Sequence, residues 1–151
     1  MKKILVALDG SETSQKVIEE AVKVAEKNES DIAIITVVKS IRPTLYHPGS
    51  NLHITIDNEF EKRAKEITEK AREAFENVSG KVETHIEYGD PAEEILKMAD
   101  KMKADLIVMG SRGLSDFKRV MLGSVSTKVL NHADCDMLIV RGKHHINIEA
   151  G

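Results

Sequence analysis

The chain has 151 residues, a length that fits one domain with a substantial core. Hydrophobic residues make up 41% and charged residues 31%, the balance of a soluble globular protein, and a net charge of −3 supplies no field that would draw nucleic acid or an acidic membrane. Aromatic residues amount to 3% with no tryptophan, so the core must be aliphatic, and the aromatic rows that bind single-stranded nucleic acid are missing.

The lone cysteine, Cys135, excludes an internal disulfide and fits a reducing compartment. The first apolar run, residues 4–8, ends at Asp9 and is too short for a signal peptide or a membrane span. The expected location is the cytoplasm, with neither membrane nor nucleic acid as a partner.

Residues 4–8 are continuously apolar, as in a strand buried on both faces. Val17, Ile18, Ala21, Val22 and Ala25 then recur at helical spacing, with Ser11 or Thr13 as the expected N-cap. Residues 32–38 read as a second buried strand. Pro43, Pro48, Gly49 and Asn51 mark residues 39–56 as a long loop. Phe60, Ala64, Ile67, Ala71, Phe75 and Val78 define one face of a long helix.

Residues 82–88 alternate polar and apolar, as a half-covered strand does. Asp90-Pro91-Ala92-Glu93 is a helix start with Asp as N-cap, Pro at the first position and Glu at the third. Ala92, Ile95, Leu96, Ala99 and Met102 form that helix's apolar stripe. A buried strand over 106–109, a helix over 122–132 and a final strand over 137–140 follow. Residues 142–151 read as a polar tail beyond a single domain spanning 1–141.

Strands thus alternate with helices, which implies a parallel sheet with helices on both faces. Ligands of such sheets bind beyond the carboxyl ends of the strands, where strand order reverses. If the first and fourth strands are neighbours, Asp9 and the segment at Gly110 share a crevice.

That segment carries the chemistry. Gly110, Gly113 and Gly123 lie between a strand and a helix, with Ser111, Ser124 and Ser126 among them. Glycines let the backbone turn sharply and approach an anion, and the helix start offers unpaired N–H groups with partial positive charge. The alternative for Gly110 and Gly113 is an ordinary turn. For Asp9 it is a cap or turn residue, and for Arg112, Lys118 and Arg119 a solvated surface.

The pattern Gly110-x2-Gly113-x9-Gly123-Ser124 resembles the glycine signature of the ATP-binding branch of the universal stress protein family. Four further segments agree in order. They are Lys3-Ile4-Leu5-Val6-Ala7-Leu8-Asp9-Gly10-Ser11, Gly89-Asp90-Pro91-Ala92-Glu93-Glu94-Ile95, Asp105-Leu106-Ile107-Val108-Met109-Gly110 and Cys135-Asp136-Met137-Leu138-Ile139-Val140-Arg141.

The resemblance implies an open five-stranded α/β sheet of order 3-2-1-4-5, flavodoxin-like and similar to the adenine nucleotide alpha hydrolases. It also implies a homodimer through the last strands. Carried over by position, Ala7, Leu8 and Asp9 line one side of an adenine and Val37 the other. Met109 and Gly110 border the ribose, with Ser111, Arg112 and Gly113 near ribose and phosphates. Gly123, Ser124, Val125 and Ser126 cap the triphosphate with N–H groups and hydroxyls. Asp9 would face a phosphate-bound Mg²⁺ or Mn²⁺.

The function expected is an ATP-binding stress or signalling module, with ADP or AMP as other occupants and an unknown protein partner. A slow ATPase or self-phosphorylating enzyme using Ser124 or Ser126 is one alternative, and a dimeric scaffold without nucleotide is another. No P-loop, dinucleotide fingerprint or nucleophile elbow is present. Nor is there zinc-ligand spacing; His144-His145 supports at most weak metal binding. Cys135 reads as core, and His132 as a complement to its helix dipole.

Overall fold

A computed structural model describes residues 2–39, 51–111 and 122–142, the side chains of 51–58 excepted. Five strands and four helices alternate: β1 Lys3–Ala7, α1 Ser14–Asn28, β2 Asp31–Val38, α2 Asn51–Ala74, β3 Val82–Tyr88, α3 Pro91–Met102, β4 Leu106–Gly110, α4 Ser124–His132 and β5 Asp136–Val140. All strand pairs are parallel, in the order β3-β2-β1-β4-β5. The order of strands therefore reverses between β1 and β4, and helices cover both faces as expected.

Alternation along each strand divides the core in two. Ile4, Val6, Ile32, Ile34, Leu106 and Val108 pack under α1 and α2 with Val17, Ala21, Ala25, Ala71 and Phe75. Leu5, Ala7, Ala33, Ile35, Ile107 and Met109 pack under α3 and α4 with Ala92, Ile95, Met98 and Val129. Both sets are apolar, which is why the inner strands read as unbroken runs. Strand starts are tied across the sheet by aspartates. Asp105 accepts the Lys2 and Lys3 N–H groups at 3.0 Å each, and Asp31 accepts the Lys81 N–H at 2.9 Å.

Three expectations need correction. The loop read over 39–56 gives way at Asn51, where α2 begins, and residues 40–50 lie outside the described residues. Ile54, Thr55 and Ile56 have weak helix propensity, but a long helix propagates through such residues once its apolar face is packed. Phe60 is 45% exposed, so among the described side chains of α2 the buried face starts at Ala64.

The third concerns the cap of α1. Thr13 precedes the helix in helical conformation and makes no side-chain cap bond. The turn is held from Asp9 instead: its Oδ1 accepts the Ser11 N–H at 2.9 Å and the Ser14 hydroxyl at 3.4 Å, while Ser14 Oγ accepts the Gly10 N–H at 3.1 Å. By contrast, Asp90 caps α3 as read, accepting the Glu93 N–H at 3.0 Å ahead of Pro91. Among the described residues no helix is long and apolar enough to cross a membrane.

Candidate functional site

A cleft of about 280 Å³ opens at the carboxyl ends of β1, β2 and β4. It lies at the reversal of strand order, where doubly wound sheets bind ligands. Ala7, Leu8 and Asp9 line it from β1, Val37 from β2, and Met109 and Gly110 from β4. Gly123, Ser124, Val125 and Ser126 line it from the start of α4. The structure thus gathers ten residues that the sequence marks. Ser111 lies just behind the wall, buried, and Arg112 and Gly113 fall outside the described residues.

Hydrogen bonding decides which polar groups remain for a ligand. In a parallel ladder, alternate residues direct their backbone groups to the same neighbour. The Leu8 N–H donates to the Ile35 carbonyl at 3.0 Å, and the Gly89 N–H to the Val38 carbonyl at 3.0 Å. Ile35 and Val37 therefore point toward β1, and Val38 toward β3. The β1 ladder ends at the pair Ala7–Ile35. Val37 thus offers an N–H and a C=O side by side where no strand continues.

The start of α4 is the other polar wall. The first intrahelical bond runs from the Thr127 N–H to the Gly123 carbonyl at 3.0 Å, so the N–H groups of Ser124, Val125 and Ser126 have no acceptor within the helix. Two donors assigned to phosphate from sequence are already engaged. The Gly123 N–H donates to the Ser111 carbonyl at 2.6 Å, and the Ser126 hydroxyl to the same carbonyl at 2.8 Å. The Ser124 side chain stays exposed at the cleft.

The sequence reading missed the contribution of α3. Pro91 and Ile95 close the apolar end beside Val37, and Lys39 adds a cation there. The β3–α3 turn opens on the same carboxyl edge as the other turns, and that was the available signal. Ser11, Thr13 and Ser14 add a hydroxyl-rich wall from α1. The N–H of Glu93 holds the Asp90 carboxyl below its ordinary range, helped by Lys128 and Lys39 against partial desolvation.

Asp9 is the only carboxylate among the described cleft residues, and both of its hydrogen bonds use Oδ1. No group of three or more His, Cys, Asp or Glu residues gathers to hold a metal among the described residues. Cys135 is half-buried against the α3 and α4 side of the core, as expected. Burial pushes its thiol pKa up, and Asp136, Asp105 and Asp134 add to that, which opposes a reactive thiolate. The His132 Nδ1 lies 2.8 Å from the Lys128 carbonyl, satisfying the last turn of α4.

The sequence model of the universal stress protein family matches residues 1–141. The chain belongs to the universal stress protein family. Universal stress protein YxiE of Bacillus subtilis is 38% identical over 146 residues, covering 92% of this chain and 98% of that one. The solved universal stress protein UspA from Lactobacillus plantarum superposes with a TM-score of 0.82 at 27% identity, covering 93% of this chain and 97% of that one. A universal stress protein solved in complex with cAMP matches with a TM-score of 0.69 at 26% identity, covering 92% of this chain and 96% of that one. In this universal stress protein the matched region contains every described cleft residue.

Proposed function

We propose that this universal stress protein binds an adenine nucleotide, ATP foremost, in the cleft, and that occupancy is its signal. The observation that carries the reading is the pairing of two polar edges across one apolar slot. At one end Val37 presents adjacent donor and acceptor groups, the complement of an adenine edge, with Pro91 and Ile95 beside the ring. At the other, the first turn of α4 presents unbonded N–H groups to phosphates. A related protein's complex with cAMP supports the class of ligand.

A divalent ion fits this cleft only together with phosphate. Asp9 Oδ2 has no protein donor among the described residues, and Ser11 and Ser14 supply further oxygen nearby. One carboxylate plus nucleotide phosphates is a normal Mg²⁺ environment. Asp9 would hold the ion, whose chemistry is charge neutralisation of the phosphates.

A homodimer through β5 belongs to the same proposal, because β5 is an edge strand with one neighbour and half-buried Met137, Leu138 and Ile139. Turnover is less supported, since the described cleft residues include no histidine and no carboxylate besides Asp9 to act as base.

Released nucleotide from denatured protein, followed by calorimetric titration of stripped protein with Mg-ATP, tests the reading. Wild type is expected to bind one ATP per chain. Ser124→Asp places a carboxylate in the exposed first turn of α4, where it suits the helix but repels phosphate. A loss of ATP affinity of at least about tenfold is expected, since two like charges about 4 Å apart repel by about 1–4 kcal/mol between bulk water and a protein surface. No heat with wild type at millimolar ATP would sink the proposal and leave the scaffold reading.

A further inference from the structure

We propose that Ser126 is a positioning residue. Its hydroxyl aims the first turn of α4 at a phosphate and does not itself bind the phosphate. This inference rests on the nucleotide reading above and deepens it.

Ser126 is 1% exposed. A serine inside a helix ordinarily bonds back to the carbonyl three or four residues earlier. Here the Gly123 carbonyl lies 3.2 Å away, yet the shorter contact, 2.8 Å, is to the Ser111 carbonyl at the end of β4. That carbonyl also receives the Gly123 N–H at 2.6 Å. It is not a loose loop group: the Ser111 N–H is fixed to the Val140 carbonyl of β5 at 2.9 Å.

Two bonds from successive parts of α4 thus converge on one sheet-anchored oxygen. With one bond alone, the first turn could tilt about Gly123 while Val129 keeps the rest of α4 in the core. Two fix the orientation of that turn, and so fix where the Ser124 and Val125 N–H groups point. Hydrogen bonds weaken steeply as their angle closes, so a small rotation of α4 misaims both donors at once. The base end of the cleft rests on Val37, Pro91 and Ile95, none of which bonds to the Ser126 hydroxyl or to the Ser111 carbonyl. Loss of the hydroxyl therefore separates phosphate recognition from base recognition, which a merely structural serine would not do.

Wild type, Ser126→Ala and Ser126→Thr would be titrated with Mg-ATP and with adenosine, with melting temperatures recorded in parallel. We expect Ser126→Ala to weaken ATP about tenfold, the value of one well-made buried hydrogen bond, and to leave adenosine within about twofold. Ser126→Thr keeps the hydroxyl and is expected to recover most of the ATP affinity. Equal losses for ATP and adenosine, no loss for either, or a folded Thr variant as weak as Ala would each overturn the proposal.

Amide hydrogen exchange on wild type gives a second measurement that needs no variant. The Gly123 N–H should be protected with and without ATP, and the Ser124 and Val125 N–H groups should gain protection only with ATP. Gly123 gaining protection on ATP addition would overturn the latch. Failure of wild type to bind ATP would overturn the nucleotide reading itself, a result distinct from any difference among variants.

Discussion

Gly10 holds φ at +80°, and a Cβ there would lie 2.7 Å from Ile67 Cδ1. Left-handed backbone costs a side chain about 1–2 kcal/mol, and Ile67 would also have to move. The turn that this glycine permits carries Asp9 into the cleft and lets Ser14 Oγ close on the Gly10 N–H. Gly10→Ala is therefore expected to lower stability by about 1–2 kcal/mol and to weaken Mg-ATP binding as well. Denaturant unfolding and calorimetry on the same preparation would check both. Unchanged stability would mean that the turn relaxes without strain.

Helix starts set the chemistry at the scale of elements. Every βα turn opens on one edge of the sheet, so α1, α3 and α4 all begin at the cleft. Each start is secured differently: α1 from Asp9, α3 by Asp90 and Pro91, α4 by the Ser111 carbonyl. Asp90 gives a prediction with a defined sign. Its carboxyl is held low, first by the Glu93 N–H and then by Lys128 and Lys39. A depressed native pKa means that the ionised cap stabilises the fold above the ordinary carboxylate value, about 3.9, and that the gain disappears as pH falls through the lower native value. Asp90→Ala should cost about 1 kcal/mol near neutrality, the usual worth of an N-cap. Melting curves of the two proteins should converge as pH falls below the ordinary carboxylate range and through the lower native value. A constant gap across that range would assign the loss to packing instead.

For the molecule as a whole, the sheet has two unequal edges. The β3 edge carries Glu83, His85 and Glu87 on one face, with Glu83 and His85 3.3 Å apart, while β5 is short and its middle is apolar. Charge discourages association of bare edges and apolar residues favour it. The Val140 carbonyl faces β4 through the Ser111 N–H, so alternation turns the Ile139 N–H outward. Ile139→Pro would remove an edge donor without breaking the β4 ladder, since proline is tolerated at edges. Sedimentation should show a dimer for wild type and a folded monomer for Ile139→Pro. A monomer in both would reject the β5 interface.

The sequence by itself determined the order and type of the elements and the family, though not the start of α2 at Asn51. Strands buried on both faces must be continuously apolar, and the Asp90-Pro91 start is local chemistry that reads directly. Asp9 and Gly110 were legible as cleft-lining residues because each sits at the end of an apolar strand, where this class of sheet opens, and Gly123 because it belongs to the glycine pattern that runs into a helix. What only the tertiary structure decided were the pairings across long separations. Pro91 and Ile95 join Val37 in the cleft because β2 and β3 are neighbours, which no local pattern states. The hydroxyl of Ser126 reads as a phosphate donor until the Ser111 carbonyl, 15 residues away, is placed beside it. The physical reason is the same throughout. Backbone and side-chain preferences act over a few residues and can be read in order, whereas a donor's availability depends on what the fold brings within 3 Å of it.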